Sequence, residues 1–333
     1  IPPLRPVRGR LTVLYPFTFH PIFQPRVWGG QRLKTLFGKD IPAGEPIGES
    51  WEIADRPGAE SSIANGPLAG RTLRWLMEEH ADELLGELPA REGRFPWLAK
   101  LLDAREDLSV QVHPPVATAK QLGGESKTEA WFIAHAEPDA RIIAGLQSGI
   151  DRSQFEKHIG TADLTHCLHA LPAREGDSIV ILNGRLHSLG AGTVVFEIQE
   201  NADTTYRVFD WNRQGLNGAP RELHVDAALQ CVNFSDHEPA ASEPNWQPAD
   251  GHQRQRIASE SGAFALDHIR LTADQIPLPG TGVRMIGVTA GTVTVSGDEP
   301  LTLAAGQFGL VPAALKSIEV AGRGSQFLLT QAA

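Results

Sequence analysis

Short apolar runs closed by glycine or proline recur along nearly the whole chain, and this punctuation limits the fold more than any other feature. The 33 glycines and 24 prolines among 333 residues make about 17% where about 12% is usual. Long helices are thereby disfavoured, and short strands joined by tight turns are favoured. The densest strand signals are Trp97 to Leu102, Leu108 to His113, Glu129 to His135 and Ala140 to Leu146. Ser178 to Leu182, Gly192 to Gln199 and Thr204 to Trp211 follow, and a short run at Leu11 to Leu14 precedes them all. Two stretches carry helical spacing instead. One runs over 72–85 with Leu73, Leu76, Met77, Leu84 and Leu85, the other over 151–171 with Phe155, Ile159, Leu164 and Leu168.

Residues 236–255 are polar and contain Pro239, Pro244 and Pro248, which is linker composition. This divides the chain into a domain over 1–235 and a second β domain over 256–333. The second has strand runs such as Phe264 to Leu271, Val283 to Val288 and Gln307 to Val311. Its single histidine, His268, has no acidic neighbour, so a metal is expected only in the first domain.

The 30 basic and 40 acidic side chains give a net charge of −10, which argues against nucleic-acid partners. It also disfavours an anionic substrate unless the few cations gather at one place. Cys167 and Cys231 are the only cysteines, too few for a disulfide framework, so a cytoplasmic protein is expected. No apolar run approaches the roughly 18 residues of a membrane span, and no signal-peptide core is evident, so no membrane partner is expected.

Three segments carry chemistry. Strand alternation puts Ser109, Gln111 and His113 on one face, a pattern that a polar, solvent-facing edge strand would show equally. Lys127 and Glu129 share a face at the start of an apolar run, which reads as a metal carboxylate with a neighbouring ammonium or as an exposed ion pair. The glycine-flanked turn Gly184-Arg185-Leu186-His187 delivers one imidazole at a strand end. His158, His166 and His169 read as solvated histidines. Trp28, Trp51 and Trp131 read as packing, with Trp51 set in a polar motif.

Taken together, Leu108-Ser109-Val110-Gln111-Val112-His113-Pro114, Lys127-Thr128-Glu129-Ala130-Trp131 and Gly184-Arg185-Leu186-His187-Ser188-Leu189-Gly190 resemble the class I mannose-6-phosphate isomerases. Glu197-Ile198-Gln199 and Asp203-Thr204-Thr205-Tyr206-Arg207 extend the likeness. Weaker matches are Trp28-Gly29-Gly30 and Gly48-Glu49-Ser50-Trp51-Glu52. These phosphomannose isomerases are zinc enzymes of the cupin superfamily, and the likeness is to their short bacterial form. One departure is Leu182-Asn183-Gly184, where many members have Pro-x-Gly.

The resemblance implies a mainly β fold of two cupin-type (double-stranded β-helix or jelly-roll) modules with a small helical portion on the first. It implies interconversion of D-mannose 6-phosphate and D-fructose 6-phosphate, a small sugar phosphate partner, through a cis-enediol(ate); a monomer is the default expectation. Carried over by position, one Zn2+ or related divalent ion falls to Gln111, His113, Glu129 and His187. The base falls to Lys127, with a pKa brought down toward neutrality, and the catalytic guanidinium to Arg207, with Asp203 orienting them. Ser109 and Arg213 are expected to hold the phosphate. A metal-dependent cupin dioxygenase and a non-catalytic sugar-binding cupin are the alternatives, and Lys127, Arg207 and Arg213 speak against both.

Overall fold

The computed structural model describes residues 14–258 and 262–333; the run Leu11 to Leu14 lies almost wholly outside them. The first half is built from β1 (Ile22–Gly30), β2 (Ile47–Ile53), β3 (Trp97–Ala104), β4 (Val110–Val112), β5 (Glu129–Ala136), β6 (Arg141–Leu146), β7 (Leu168–Pro172), β8 (Ser178–Ile181), β9 (His187–Leu189), β10 (Thr193–Glu200) and β11 (Tyr206–Phe209). They form one sheet in the order β1-β2-β3-β10-β5-β8 and a second in the order β11-β4-β9-β6-β7. Every pairing is antiparallel, so each strand alternates between two environments.

β10 shows how this alternation positions the site. Val194, Phe196 and Ile198 pack into a large apolar cluster with Phe132, Phe308 and Leu328. Val195, on the opposite face, joins Leu102, Trp131 and Ile133 between the two sheets. Both faces are covered, which is why nearly the whole strand is buried. Burying each Phe side chain fully stabilises the fold by about 1.5–3 kcal/mol.

The second half contains β12 (Gln247–Ala249), β13 (His252–Ala258), β14 (Ala265–Leu271), β15 (Gln275–Pro277), β16 (Arg284–Ala290), β17 (Thr292–Val295), β18 (Leu301–Ala304), β19 (Phe308–Val311), β20 (Glu319–Ala321) and β21 (Gln326–Gln331). Its sheets run β12-β13-β14-β21-β16-β19 and β15-β20-β17-β18, around a core that includes Ile269, Val288, Val293 and Phe327. Phe17 from the N-terminal segment exchanges both backbone hydrogen bonds with Leu310, each at 2.8 Å, tying the two halves together.

The architecture is mainly β, as expected, and several local expectations need correction. The helix expected over 72–85 is two short ones, Leu73–Glu79 and Ala81–Leu85, broken at His80. The stretch 151–171 is helical only at Arg152–His158, where Asp151 and Gln154 form a capping box. A 3-10 turn over Ala162–Cys167 follows, and then the chain extends into β7. Its apolar positions serve a turn and a strand, so their helical spacing is coincidental. Within the expected linker, Gln247–Ala249 and the start of β13 are already paired strand. Among the described residues, no helix is long and apolar enough to cross a membrane.

Candidate active site

Two rows of side chains face each other across the gap between the sheets of the first half. Lys100, Glu197 and Trp131 stand in register on β3, β10 and β5, and residues directly opposite on neighbouring strands share a face. On the other sheet Arg207, Gln111 and His187 stand in register on β11, β4 and β9. The rings of Trp131 and His187 meet edge to face at 5.7 Å, closing one end. Between the rows lies a recess of about 570 Å3.

At the closed end His113, Glu129 and His187 are all buried, and their donor atoms lie within 4.8 Å of one another. His113 Nδ1–H donates to the Thr204 carbonyl and His187 Nδ1–H to the Arg185 carbonyl, both at 2.9 Å. Those bonds fix the tautomers, leaving each Nε2 with a lone pair directed at Glu129, at 3.3 and 3.5 Å respectively. Burial, reinforced by His113, holds His187 down to a pKa of about 3, so it is neutral as a ligand must be. Burial alone would raise the Glu129 carboxyl, but the Lys127 ammonium outweighs it and keeps it well below the usual range. Apart from the Lys127 ammonium beside Glu129 Oε2, neither Glu129 oxygen nor His113 Nε2 has a hydrogen-bonding partner. Buried acceptors left in this way are what a cation would satisfy.

The turn that delivers His187 is tied to its neighbour. Gly184 has φ +85°, a conformation that glycine adopts freely, and its N–H donates to the His113 carbonyl at 2.8 Å. The missing proline of Pro-x-Gly is therefore offset by a backbone link between the two ligand segments. Gln111 stands beside His187 with its amide Nε2 3.2 Å from the imidazole Nε2. Its Oε1 accepts from Ser109 at 3.3 Å.

Lys127 Nζ lies 2.8 Å from Glu129 Oε2. Burial lowers its pKa, but the Glu129 and Glu197 carboxylates and Asp203 more than reverse this, and the ammonium is raised above the ordinary lysine range. The Glu129 carboxylate is its nearest charge. Asp203 sits at the exposed mouth and acts on Lys127 and Arg56 by its charge.

The open end is cationic. Arg207 donates from Nε to Ser109 Oγ at 3.3 Å and from Nη1 to the Glu222 carbonyl at 2.8 Å. Burial and the nearby Arg221 lower its pKa. Arg213 is not among the residues lining the recess; Arg221 is. The strand expected to run to Trp211 stops at Phe209, after a bulge beyond Arg207, and Trp211 and Asn212 take left-handed backbone. This turn folds Arg213 back onto Asp210 at 2.9 Å and toward Glu106 at 3.7 Å. Arg221 also binds Asp210, from Nε at 2.7 Å, leaving two guanidinium groups sharing one carboxylate.

The sequence had not singled out Lys100, Glu197 or Arg221 for roles. Lys100 lies 2.9 Å from Glu197, which also accepts from the Trp131 indole at 2.8 Å. The first two are aligned with Trp131 by cross-strand register, which alternation along one strand does not give, and Arg221 lies in a loop. Trp51 sits against Lys100 at 5.4 Å from its ring and donates to Glu49 at 2.7 Å, so its polar motif faces the recess wall. His158, His166 and His169 belong to no metal-ligand cluster among the described residues.

The catalytic-domain profile of phosphomannose isomerase type I matches residues 17–127. The mannose-6-phosphate isomerase of Streptococcus mutans is 33% identical over 299 residues, covering 89% of this chain and 92% of its own length. The mannose-6-phosphate isomerase ManA of Bacillus subtilis is 37% identical over 220 residues, 65% of this chain and 68% of that protein. A crystal structure of the mannose 6-phosphate isomerase from Bacillus subtilis superposes with a TM-score of 0.85 at 30% identity, over 95% of this chain and 99% of that one. A mannose 6-phosphate isomerase solved with zinc bound shares the fold, with a TM-score of 0.77 at 17% identity over 95% and 99% of the two chains.

Proposed function

The chain belongs to the mannose-6-phosphate isomerase family, and from that premise we propose how its two facing rows of side chains interconvert D-mannose 6-phosphate and D-fructose 6-phosphate. The reaction moves one proton between C2 and C1 and one between O2 and O1, with no net loss or gain. It therefore needs a group that carries a proton across two carbons and charge that steadies the enediolate oxygens between the steps.

His113, Glu129 and His187 would hold the metal. The observation that carries the reading is their shared preparation: two imidazoles locked by backbone carbonyls with their lone pairs facing one buried carboxylate. We read Gln111 as the fourth ligand, which requires its amide to present Oε1 where Nε2 now faces His187. The nitrogen and oxygen donors suit zinc, and the zinc-bound relative of the same fold supports that choice. A divalent cation held here supplies Lewis-acid polarisation of the sugar oxygens and offsets the Glu129 charge that keeps Lys127 protonated.

Lys127 is then the proton carrier, at the metal end of the recess. Arg207 steadies the enediolate oxygens, held in place by Ser109 and the Glu222 carbonyl. Asp203, at the mouth, adds a negative charge that bears on Lys127. Lys100 and Glu197 offer one cation and one anion to the hydroxyls of the open-chain sugar. For the phosphate, we assign Ser109 and Arg221 the direct contact and Arg213 a supporting place through Asp210. We propose that the protein acts as a monomer. Cys167 and Cys231 are free and buried, a state that a reducing cytoplasm preserves.

The test is direct. Purified protein incubated with fructose 6-phosphate should form mannose 6-phosphate, lose the activity on chelation and regain it with added zinc. Failure to form product with zinc present would overturn the reading.

A further inference from the structure

We propose that the seam between the two halves of the molecule holds a second binding site, separate from the active recess, for a neutral hydroxylated small molecule such as a free sugar or polyol. A cavity of about 300 Å3 opens there, at the small end of the range for ligand sites. One wall is the reverse face of β5. Phe132 and Ala134 line it, while Glu129 and Trp131 of the same strand turn toward the active recess. The other wall is Trp246, His268, Arg270 and Thr289.

The Trp246 ring is held in place from two sides. The Arg270 guanidinium lies over it at 4.2 Å, and the His268 ring lies 4.8 Å away. A half-buried indole fixed in this way can present apolar surface to the C–H face of a sugar while polar neighbours meet its hydroxyls.

His268 supplies the second observation. It is only 3% exposed, its Nε2 lies 3.0 Å from Thr289 Oγ1, and its Nδ1 is buried without a partner. Burial, with Arg270 nearby, brings its pKa down to about 3, so the ring is neutral at working pH. A neutral imidazole joined to a hydroxyl can pair with hydroxyls of either polarity. The half-buried Thr289 hydroxyl is the member of this pair that an occupant's hydroxyls would meet. Charge argues against an anion here: Arg270 is engaged by Trp246 and by Gln253 at 3.4 Å, and Glu175 lines the rim.

The seven tryptophans give a site-specific readout, because Trp28 and Trp131 line the active recess and Trp246 lines the seam. The full chain, labelled with nitrogen-15, would be titrated with D-mannitol, which has no carbonyl to isomerise, and Trp246→Phe would identify the Trp246 indole signal. The expected result is a saturable shift of that signal with a dissociation constant on the order of millimolar. Thr289→Val should weaken binding about fivefold and lower the melting temperature modestly, since it also removes the partner of His268 Nε2, with unchanged isomerase kcat and KM. An unmoved Trp246 signal, shifts confined to Trp28 and Trp131, or full affinity in a folded Thr289→Val protein would each overturn the proposal. None of these outcomes bears on the isomerase reading.

Discussion

Lys127 Nζ and Glu129 Oε2 stand 2.8 Å apart, both side chains buried, so the proposed proton carrier and the proposed metal carboxylate share one ion pair. The two roles separate by mutation. Lys127→Met should leave metal content intact and lower kcat by about 10²- to 10⁴-fold, measured by metal analysis alongside turnover. Loss of metal from a folded Lys127→Met protein would instead make the lysine a structural partner of Glu129.

Removing the metal should unfold the protein more readily as well as stop turnover. Buried, unsatisfied acceptors at Glu129 and His113 mean that binding energy there is also folding energy. Free metal at a thousand times its dissociation constant adds about 4 kcal/mol of stability. The melting temperature with and without a chelator checks this, and Glu129→Gln should abolish the difference. A chelator that stops turnover without moving the melting temperature would show that the buried site is not where the metal acts.

Arg221 and Arg213 compete for one role, and their shared partner Asp210 makes the comparison clean. Arg221 lines the recess, while Arg213 is turned away onto Asp210 and Glu106. Arg221→Ala should raise KM for fructose 6-phosphate by about tenfold or more with a smaller change in kcat, since a lost charge-assisted contact to phosphate weakens binding throughout. Arg213→Ala should raise it less. The reverse order would return the phosphate to Arg213.

The contrast between these two arginines shows what could be read without coordinates. Gln111, His113 and Glu129 were legible because strand alternation fixes which side chains share a face, and His187 because its glycine turn announces a strand end. Alternation predicts a strand as far as Trp211, but pairing stops at Phe209 and the left-handed backbone at Trp211 and Asn212 reverses the chain before Arg213. Phe155, Ile159, Leu164 and Leu168 kept helical spacing only because a short helix, a 3-10 turn and a strand bury them against one cluster. Lys127's high pKa comes first from Glu129, two residues along the same strand start, and then from Glu197 and Asp203, which meet it only in the folded molecule.

Acid should destabilise the protein before its carboxylates protonate. Native His268 stays neutral down to about pH 3, whereas in the unfolded chain it ionises near 6.5. The unfolded state therefore binds the extra proton first. The contribution is complete above pH 6.5 and is lost as the pH falls from 6.5 toward 3. Glu49, held at about 2 chiefly by Lys100 and Arg26 against the burial that would raise it, adds its own loss only below about 4.5. Asp103, Asp177 and Asp267, raised by burial, act in the opposite sense. One proton gives a slope of at most about 1.4 kcal/mol per pH unit. Stability of the wild type should thus fall between pH 6.5 and 4.5 more steeply than that of His268→Phe, and parallel curves would refute the assignment.

The weakest of the sequence matches, Trp28-Gly29-Gly30 and Gly48-Glu49, has a steric basis that mutation can expose. A Cβ built on Gly29 would sit 2.4 Å from Gly48 N and Pro46 O, and one on Gly48 would sit 2.6 Å from the Arg26 Cβ and the Trp28 ring. β1 and β2 cross this closely only because neither residue has a side chain, and the obstructing atoms at Gly29 are backbone that cannot swing aside. The crossing sets Trp28 and Glu49 into the recess wall. Gly29→Ala should therefore cost about 3 kcal/mol and lower kcat/KM as the wall shifts. Gly58→Ala makes a useful comparison: its φ is +75° but a Cβ there meets nothing within 4 Å, so only backbone strain of about 1 kcal/mol is added. If denaturant titration gave the two variants equal losses, close approach of the strands would not be what the Gly29 position requires.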